Sequence, residues 1–353
     1  MNPANSDTPQ ARAVAASSPV RDVLRLLLRA AALCLLVVAS LVAFAVLVRD
    51  GNDYALVTRN KHSWLKADEG PKLVFVGGSN LAFGLDSELI ERAVGRRVVN
   101  MGMNGYFGVR YMLEEVESAL RPGDVIVLAF EYDSFVKLVE GAELDLFMVA
   151  KARPQNLAYM TWRERLGVLR SLPFTAQRKL MRLIRRSGNA SAQAAGVREA
   201  EQVDTSKDMG AIETVSGFNA RGDLTSHFGV RWKHEREDGF DLTRLGLHPG
   251  FVPLVTGFAQ RAESRGIKVL FSYSPLLDSF HASHAAAVAE FHSAFEKAFG
   301  RRMISKPEDF VLPDPLFFDT VYHLTEEGRA IRSARLAAQL APLVERKSAA
   351  AAH

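Results

Sequence analysis

Three short segments carry side chains able to do acyl-transfer chemistry together. The first is Gly77-Gly78-Ser79-Asn80, which follows the apolar run 72–76. Two glycines let the chain turn sharply. A serine there can expose its hydroxyl as a nucleophile while its own N–H points at a developing oxyanion. The second is Asn100-Met101-Gly102-Met103-Asn104-Gly105-Tyr106, where glycines let backbone N–H groups approach a ligand oxygen. The third is Asp319-Thr320-Val321-Tyr322-His323, just before a helical pattern. A loop can fold the Asp319 carboxylate onto the His323 imidazole, fix its tautomer and stabilise the imidazolium. Taken singly, each segment is also an ordinary turn. His281, His284 and His292 lie on or near an Ala-rich helical stretch, with Asp278 close by, and read as surface residues.

These segments need elements to position them. Short apolar runs at 72–76, 97–100, 125–130 and 267–273 read as buried strands. Between them, 87–94, 111–120, 251–265 and 282–299 carry helical spacing, and Thr325 can cap a last helix reaching about residue 343. Asp86 or Ser87 can cap the first. Strands alternating with helices predict a parallel sheet, and ligands bind beyond the carboxyl ends of such strands. Ser79 sits on that edge. The stretch from about 140 to 245 breaks the rhythm and reads as a mostly helical insertion. Between residues 151 and 186 it holds ten Lys or Arg against one acidic residue, Glu164, and 187–202 is rich in Ala, Ser, Gly and Gln, as a flexible segment would be. The basic run is either a solvated face or a contact for anionic lipid or polymer.

Residues 30–48 contain no charge, and a helix of that length covers roughly 28 Å, one hydrocarbon core. Arg21, Arg25 and Arg29 precede it, so the positive-inside bias predicts a cytoplasmic N-terminus and an extracytoplasmic (periplasmic) body. A cleaved signal peptide, with Ala43-Phe44-Ala45 as its site, and a buried soluble helix are the alternatives. The expected organisation is a disordered tail at 1–29, an anchor at 30–48, a linker at 49–71, the α/β domain at 72–343 and a disordered tail at 344–353.

Composition sets limits. Of 353 residues, 48% are hydrophobic and 24% charged, which supports a sizeable core. The single cysteine, Cys34, excludes an internal disulfide framework and a Cys-based zinc site. The net charge of +4 is concentrated locally and gives no reason to expect a nucleic-acid partner. Neither a P-loop nor metal-ligand spacing is present, so no cofactor and no metal are expected.

Gly-Gly-Ser-Asn after the first strand, Asn-x-Gly-x-Asn-Gly after the second and Asp…His before the final helix together resemble the SGNH (GDSL-type) hydrolase superfamily. Gly77 to Asp86 and Tyr322 to Gly328 are similar to its membrane-tethered branch, linked to cell-envelope and exopolysaccharide acylation. The resemblance covers about 72–135 and 265–343. It implies a flavodoxin-like three-layer α/β sandwich, Ser79 as nucleophile, His323 as general base and Asp319 as its orienting carboxylate. It implies an oxyanion hole from the N–H groups of Ser79 and Gly105. Three departures stand out. Gly78 replaces the usual aspartate. Asp319 and His323 are four apart, where three is commoner. Phe130-Glu131-Tyr132-Asp133 stands where the family has Gly-x-Asn, so Tyr132 occupies the third donor's place, and its hydroxyl, or Asn80 or Asn104, would have to substitute.

The expected function is O-acetyl transfer or O-deacetylation on an envelope or exopolysaccharide carbohydrate. The expected partners are that carbohydrate, the bilayer through residues 30–48, and a membrane-embedded protein donating acyl groups. A non-catalytic glycan-binding or scaffold domain is the alternative from another class, and a membrane-bound lipase or thioesterase a third.

Overall fold

Four mainly apolar runs, buried on both faces except at Lys268, become one parallel sheet. They are β1 (Leu73–Val76), β2 (Val98–Asn100), β3 (Val125–Leu128) and β4 (Lys268–Phe271), in the order β2-β1-β3-β4. Leu73 is in register with Val98 on one side and Val125 on the other, and Val125 with Lys268. The chain therefore reverses its direction of sheet growth at β1. A second parallel pair joins β5 (Leu276–Leu277) to β6 (Val311–Leu312). The computed structural model describes residues 19–47, 54–67, 70–194, 212–232 and 241–344. Of the expected tails at 1–29 and 344–353, residues 1–18 and 345–353 lie outside them, as do residues 195–202 of the expected flexible segment; residues 19–29, expected as tail, are helical.

Ten helices are described: α1 (Pro19–Leu47), α2 (Val57–Lys66), α3 (Ser79–Gly84), α4 (Ser87–Val94), α5 (Val109–Glu117), α6 (Glu143–Ala152), α7 (Trp162–Ala194), α8 (Phe251–Ser264), α9 (Asp278–Phe299) and α10 (Glu326–Leu340). Their ends follow local chemistry. The Asp86 carboxylate accepts from Leu89 N–H to cap α4, and Gly95 closes that helix in the left-handed region, at φ 67°. Thr325 caps α10 by accepting from Gly328 N–H, with Glu326 and Glu327 at the positive end of the dipole.

Three elements differ from the sequence expectation. α3 starts at Ser79 itself. α2 lies inside the expected linker, with Val57 and Leu65 in the core. The buried Lys61 donates to the carbonyls of Asn100 and Gly222, each at 2.7 Å. α7 continues through 187–194, where a flexible segment was expected. The later part of the insertion is also built into the core: the Asp223 carboxylate accepts from Ser87 N–H, Ser87 Oγ and Asn100 Nδ2, joining α4 to the end of β2.

α1 carries the apolar run and is long and apolar enough to cross a membrane, its most apolar 18 residues having a mean hydropathy of 2.8. Most of it is exposed. Its last turns pack on α7, where Ala45 is buried and Lys179 Nζ donates to the Ala45 carbonyl. An ammonium there satisfies an orphan carbonyl at the negative end of the helix dipole.

At the opposite edge from Ser79, the buried Lys72 and Asp124 hold β1 against β3. Lys72 Nζ pairs with Asp124 Oδ2 at 2.8 Å, while Lys72 N–H and Arg121 N–H donate to the same carboxylate. Removing one partner leaves a buried charge uncompensated. Asp124→Ala should therefore lower unfolding stability by about 3–5 kcal/mol, read as the shift in denaturant midpoint of the detergent-solubilised protein. A change below about 1 kcal/mol would show that this pair does not hold the edge.

Candidate active site

β1 delivers Ser79 to the carboxyl edge of the sheet through Gly77 and Gly78. Both glycines are required by space. A Cβ on Gly77 would lie 2.1 Å from the Ala129 carbonyl oxygen, and one on Gly78 would lie 2.1 Å from Glu131 Oε2. The Gly78 site is occupied by a carboxylate from the neighbouring strand. Glu131, only 4% exposed, accepts through Oε1 from Asn80 N–H at 2.8 Å and from Ser79 Oγ at 3.3 Å. Its Oε2 is buried without a hydrogen-bond partner, and a Cβ on Gly105 would lie 3.0 Å from it. Glu131 thus sits between the Ser79 turn and the Gly105 turn. Among the described residues, the N–H groups of Ser79 and Gly105 make no hydrogen bond.

Asp319 and His323 meet. His323 Nδ1–H donates to Asp319 Oδ1 at 2.8 Å, which leaves Nε2 as the acceptor of the neutral ring. Their four-residue spacing comes from a turn built on Thr320, whose Oγ1 accepts from the N–H groups of Tyr322 and His323. The Phe317–Leu324 bridge and the Phe318 N–H bond to the His323 carbonyl close the turn. The imidazole lies flat on Phe83, with centroids 4.0 Å apart and planes 3° off parallel. Phe83 is one helical turn after Ser79 on α3, so stacking brings His323 to the helix that Ser79 begins. Ser79 Oγ and His323 are not hydrogen-bonded to each other; Ser79 turns to Glu131 instead.

Burial disfavours the charged imidazole of His323, but Asp319, by charge and hydrogen bond, and then Glu213 and Glu131 outweigh it. The net effect raises its pKa above the ordinary 6.5. His227 behaves oppositely. Burial pulls it down to about 4, and its Nε2–H donates to the Leu324 carbonyl at 3.0 Å. It packs on the same Phe83 and on Phe318. His227 and Phe318 also line an open pocket of about 510 Å³, with Val230, Pro315, Glu326 and Glu327.

Of the three candidates for the third donor, Tyr132 is buried in the core and Asn80 and Asn104 are engaged elsewhere. Tyr132 is fully buried in an aromatic cluster with Tyr273, Phe135 and Phe291, and its hydroxyl has no partner. The Asn80 side chain donates to the Ala129 carbonyl and accepts from Arg332. Asn104 caps its own turn by accepting from Tyr106 N–H, and its Nδ2 donates to Asp145. His281, His284 and His292 are half-buried rather than fully exposed, and the Tyr273 hydroxyl bonds His292 Nδ1 at 2.8 Å.

Sequence reasoning missed Glu131, Arg332 and His227. Arg332, wholly buried, donates to the Asn80 carbonyl, Asn80 Oδ1 and the Tyr273 carbonyl. Burial lowers its pKa to about 9, with Glu131 opposing the fall. Its spacing with Leu336 and Leu340 was a readable signal, since all three fall on the buried face of α10. For Glu131 the signal was an acidic residue directly after an apolar strand. In comparisons with protein-family models and with curated proteins, nothing matched the chain.

Because folding raises the His323 pKa, its protonation stabilises the fold below about 6.5, and that contribution disappears as pH rises through the folded value. The His323 ring resonances should titrate with a midpoint above 6.5. Asp319→Asn removes the main cause of the rise and should lower that midpoint. An unmoved midpoint in the variant would show that Asp319 does not set the charge of His323.

Proposed function

We propose that this chain is a membrane-tethered, extracytoplasmic serine esterase or O-acyltransferase of SGNH type, acting on acylated envelope or exopolysaccharide carbohydrate. The observation that carries the reading is the buried Asp319–His323 pair stacked on Phe83, on the helix that Ser79 opens. The sheet supports it: β2-β1-β3-β4 follows the flavodoxin-like order, and the parallel bridge from Phe271 to Met303 adds a contact where a fifth strand would stand. Arg21, Arg25 and Arg29 before the apolar run support the orientation, with the body outside.

In this mechanism Ser79 Oγ attacks the ester carbonyl as His323 Nε2 takes its proton. Asp319 holds the tautomer and stabilises the imidazolium. The N–H groups of Ser79 and Gly105 receive the oxyanion. The protonated His323 returns the proton to the departing alcohol. Water or a second sugar hydroxyl then attacks the acyl-Ser79, giving hydrolysis or transfer. The carboxylate that the resemblance expects at position 78 is supplied from Glu131, which fills the space that glycine leaves. Substrate binding must part Ser79 Oγ from Glu131 before His323 can reach it. The choice of carbohydrate rests on the resemblance.

The Glu131 carboxylate also supports a second reading. An anion beside both oxyanion donors opposes a developing negative charge, as in a glycan-binding domain in which Glu131 accepts hydrogen bonds from sugar hydroxyls.

Ester turnover on acetylated sugars separates the two. If the enzyme reading holds, Ser79→Ala, His323→Ala and the double variant fall to the same residual rate, because residues acting as a unit are not additive. The acid limb of kcat/KM should then have its midpoint above 6.5, since only neutral His323 acts as base. Glu131→Gln keeps or raises the rate. Wild-type turnover no faster than Ser79→Ala, with sugar binding lost in Glu131→Gln, would establish the binding domain instead.

A further inference from the structure

α7 turns two faces to different surroundings. One face, with Val168, Leu172, Ala176 and Lys179, is buried. The other carries Trp162, Leu166, Leu169, Leu180 and Ile184, which are 42–69% exposed. At 100° per residue these five fall on one stripe, running roughly 33 Å along the helix. A continuous exposed apolar stripe of that length marks an interaction surface.

The anchor says what covers it. Lys179, on the buried face of the same helix, donates to the Ala45 carbonyl of α1. Ala45 lies inside the uncharged run 30–48. A helix touching the anchor at that residue lies at the depth where the apolar run leaves the bilayer. The flanks of the stripe match that depth. The Arg163 guanidinium sits 5.4 Å from the Trp162 ring centroid, and that of Arg178 sits 5.8 Å from the Phe174 ring centroid. Aromatic rings collect at the headgroup level, where arginine can reach phosphate while its stem stays apolar. Over Trp162–Ala194 there are eight Lys or Arg against Glu164 alone, a balance that suits anionic lipid.

We propose that α7 is an interfacial amphipathic helix lying in the outer surface of the bilayer that holds α1. Its apolar stripe enters the acyl boundary and its arginines meet anionic phosphates. The inference goes beyond the esterase reading and rests only on the membrane tether within it.

The test uses the full chain with Cys34→Ser, so that a single new cysteine can carry an environment-sensitive fluorophore. Labels go at Leu169→Cys, Leu180→Cys and, as a control, at the exposed Ala289→Cys on α9. The protein is reconstituted into phosphatidylcholine vesicles containing phosphatidylglycerol, with and without lipids bearing a nitroxide on the acyl chain. Circular dichroism confirms that each variant is folded. Labels at 169 and 180 should emit to the blue of the control and be quenched several-fold more by the nitroxide. Quenching at 169 and 180 no greater than at 289 would overturn the proposal. So would efficient disulfide formation between copies of unlabelled Leu180→Cys protein, together with no quenching of the labelled protein, which would assign the stripe to a second chain. None of these readings requires catalysis, so an inactive protein leaves the test intact.

Discussion

The site is organised around one buried carboxylate. Glu131 reaches from the end of β3 into a space that exists only because residues 78 and 105 have no side chain. A buried carboxylate is tolerated where donors meet it, and here Asn80 N–H and Ser79 Oγ do so on one oxygen. That requirement fixes much else. Ser79 and Asn80 must open a helix at this point, so that their donors face the neighbouring strand. β1 and β3 must stay in register, so that the residue three past one strand meets the residue three past the other. The Lys72–Asp124 pair holds that register from the far edge.

Asn80 turns this local demand into a brace across the molecule. Its backbone N–H faces the Glu131 anion, while its carbonyl and side-chain oxygen face the Arg332 cation from α10. One residue therefore separates two buried opposite charges and is hydrogen-bonded to both. Arg332 also binds the Tyr273 carbonyl just past β4, and Gly84 leaves the room its guanidinium needs. α3, α10 and the sheet edge are held by the same charges that surround the candidate nucleophile. His323 enters from the loop just before α10, so the brace and the Asp319–His323 pair share one helix start.

The four sheet strands were legible because burial on both faces writes a strand as an unbroken apolar run, and glycine or proline marks its end. Ser79 was marked by the same signal, since it follows β1 and two glycines, whereas Asp319 and His323 were marked by their own spacing just before the cap of α10. Tyr132 was misplaced, and strand parity explains why. In extended backbone, neighbouring side chains point to opposite sides, and Glu131 is extended, at φ −66° and ψ 154°. Glu131 faces Ser79, so Tyr132 must face the aromatic core. Motif alignment weighed residue type at one position; the geometry selected the position before it. The spacing of Arg332 marked it as buried but not its partner Asn80, 252 positions away, and Asp223 eluded the sequence because Ser87 and Asn100 lie more than a hundred positions before it. α2 eluded it because a short helix with Lys61 and His62 buried does not read as core.

If α1 spans a membrane, as proposed, its contact with Lys179 sets how the domain would meet a substrate. A domain on a loose leash samples a hemisphere, and its encounters are set by the length of that leash. A domain clasped to its own anchor moves with the anchor instead. It travels as a wheel does, at constant height, searching an area rather than a volume. Molecules that extend toward the membrane within that fixed clearance are met at high effective concentration. Those beyond it are not met at all, whatever their abundance. Selection by altitude then precedes any selection by the chemistry of the site.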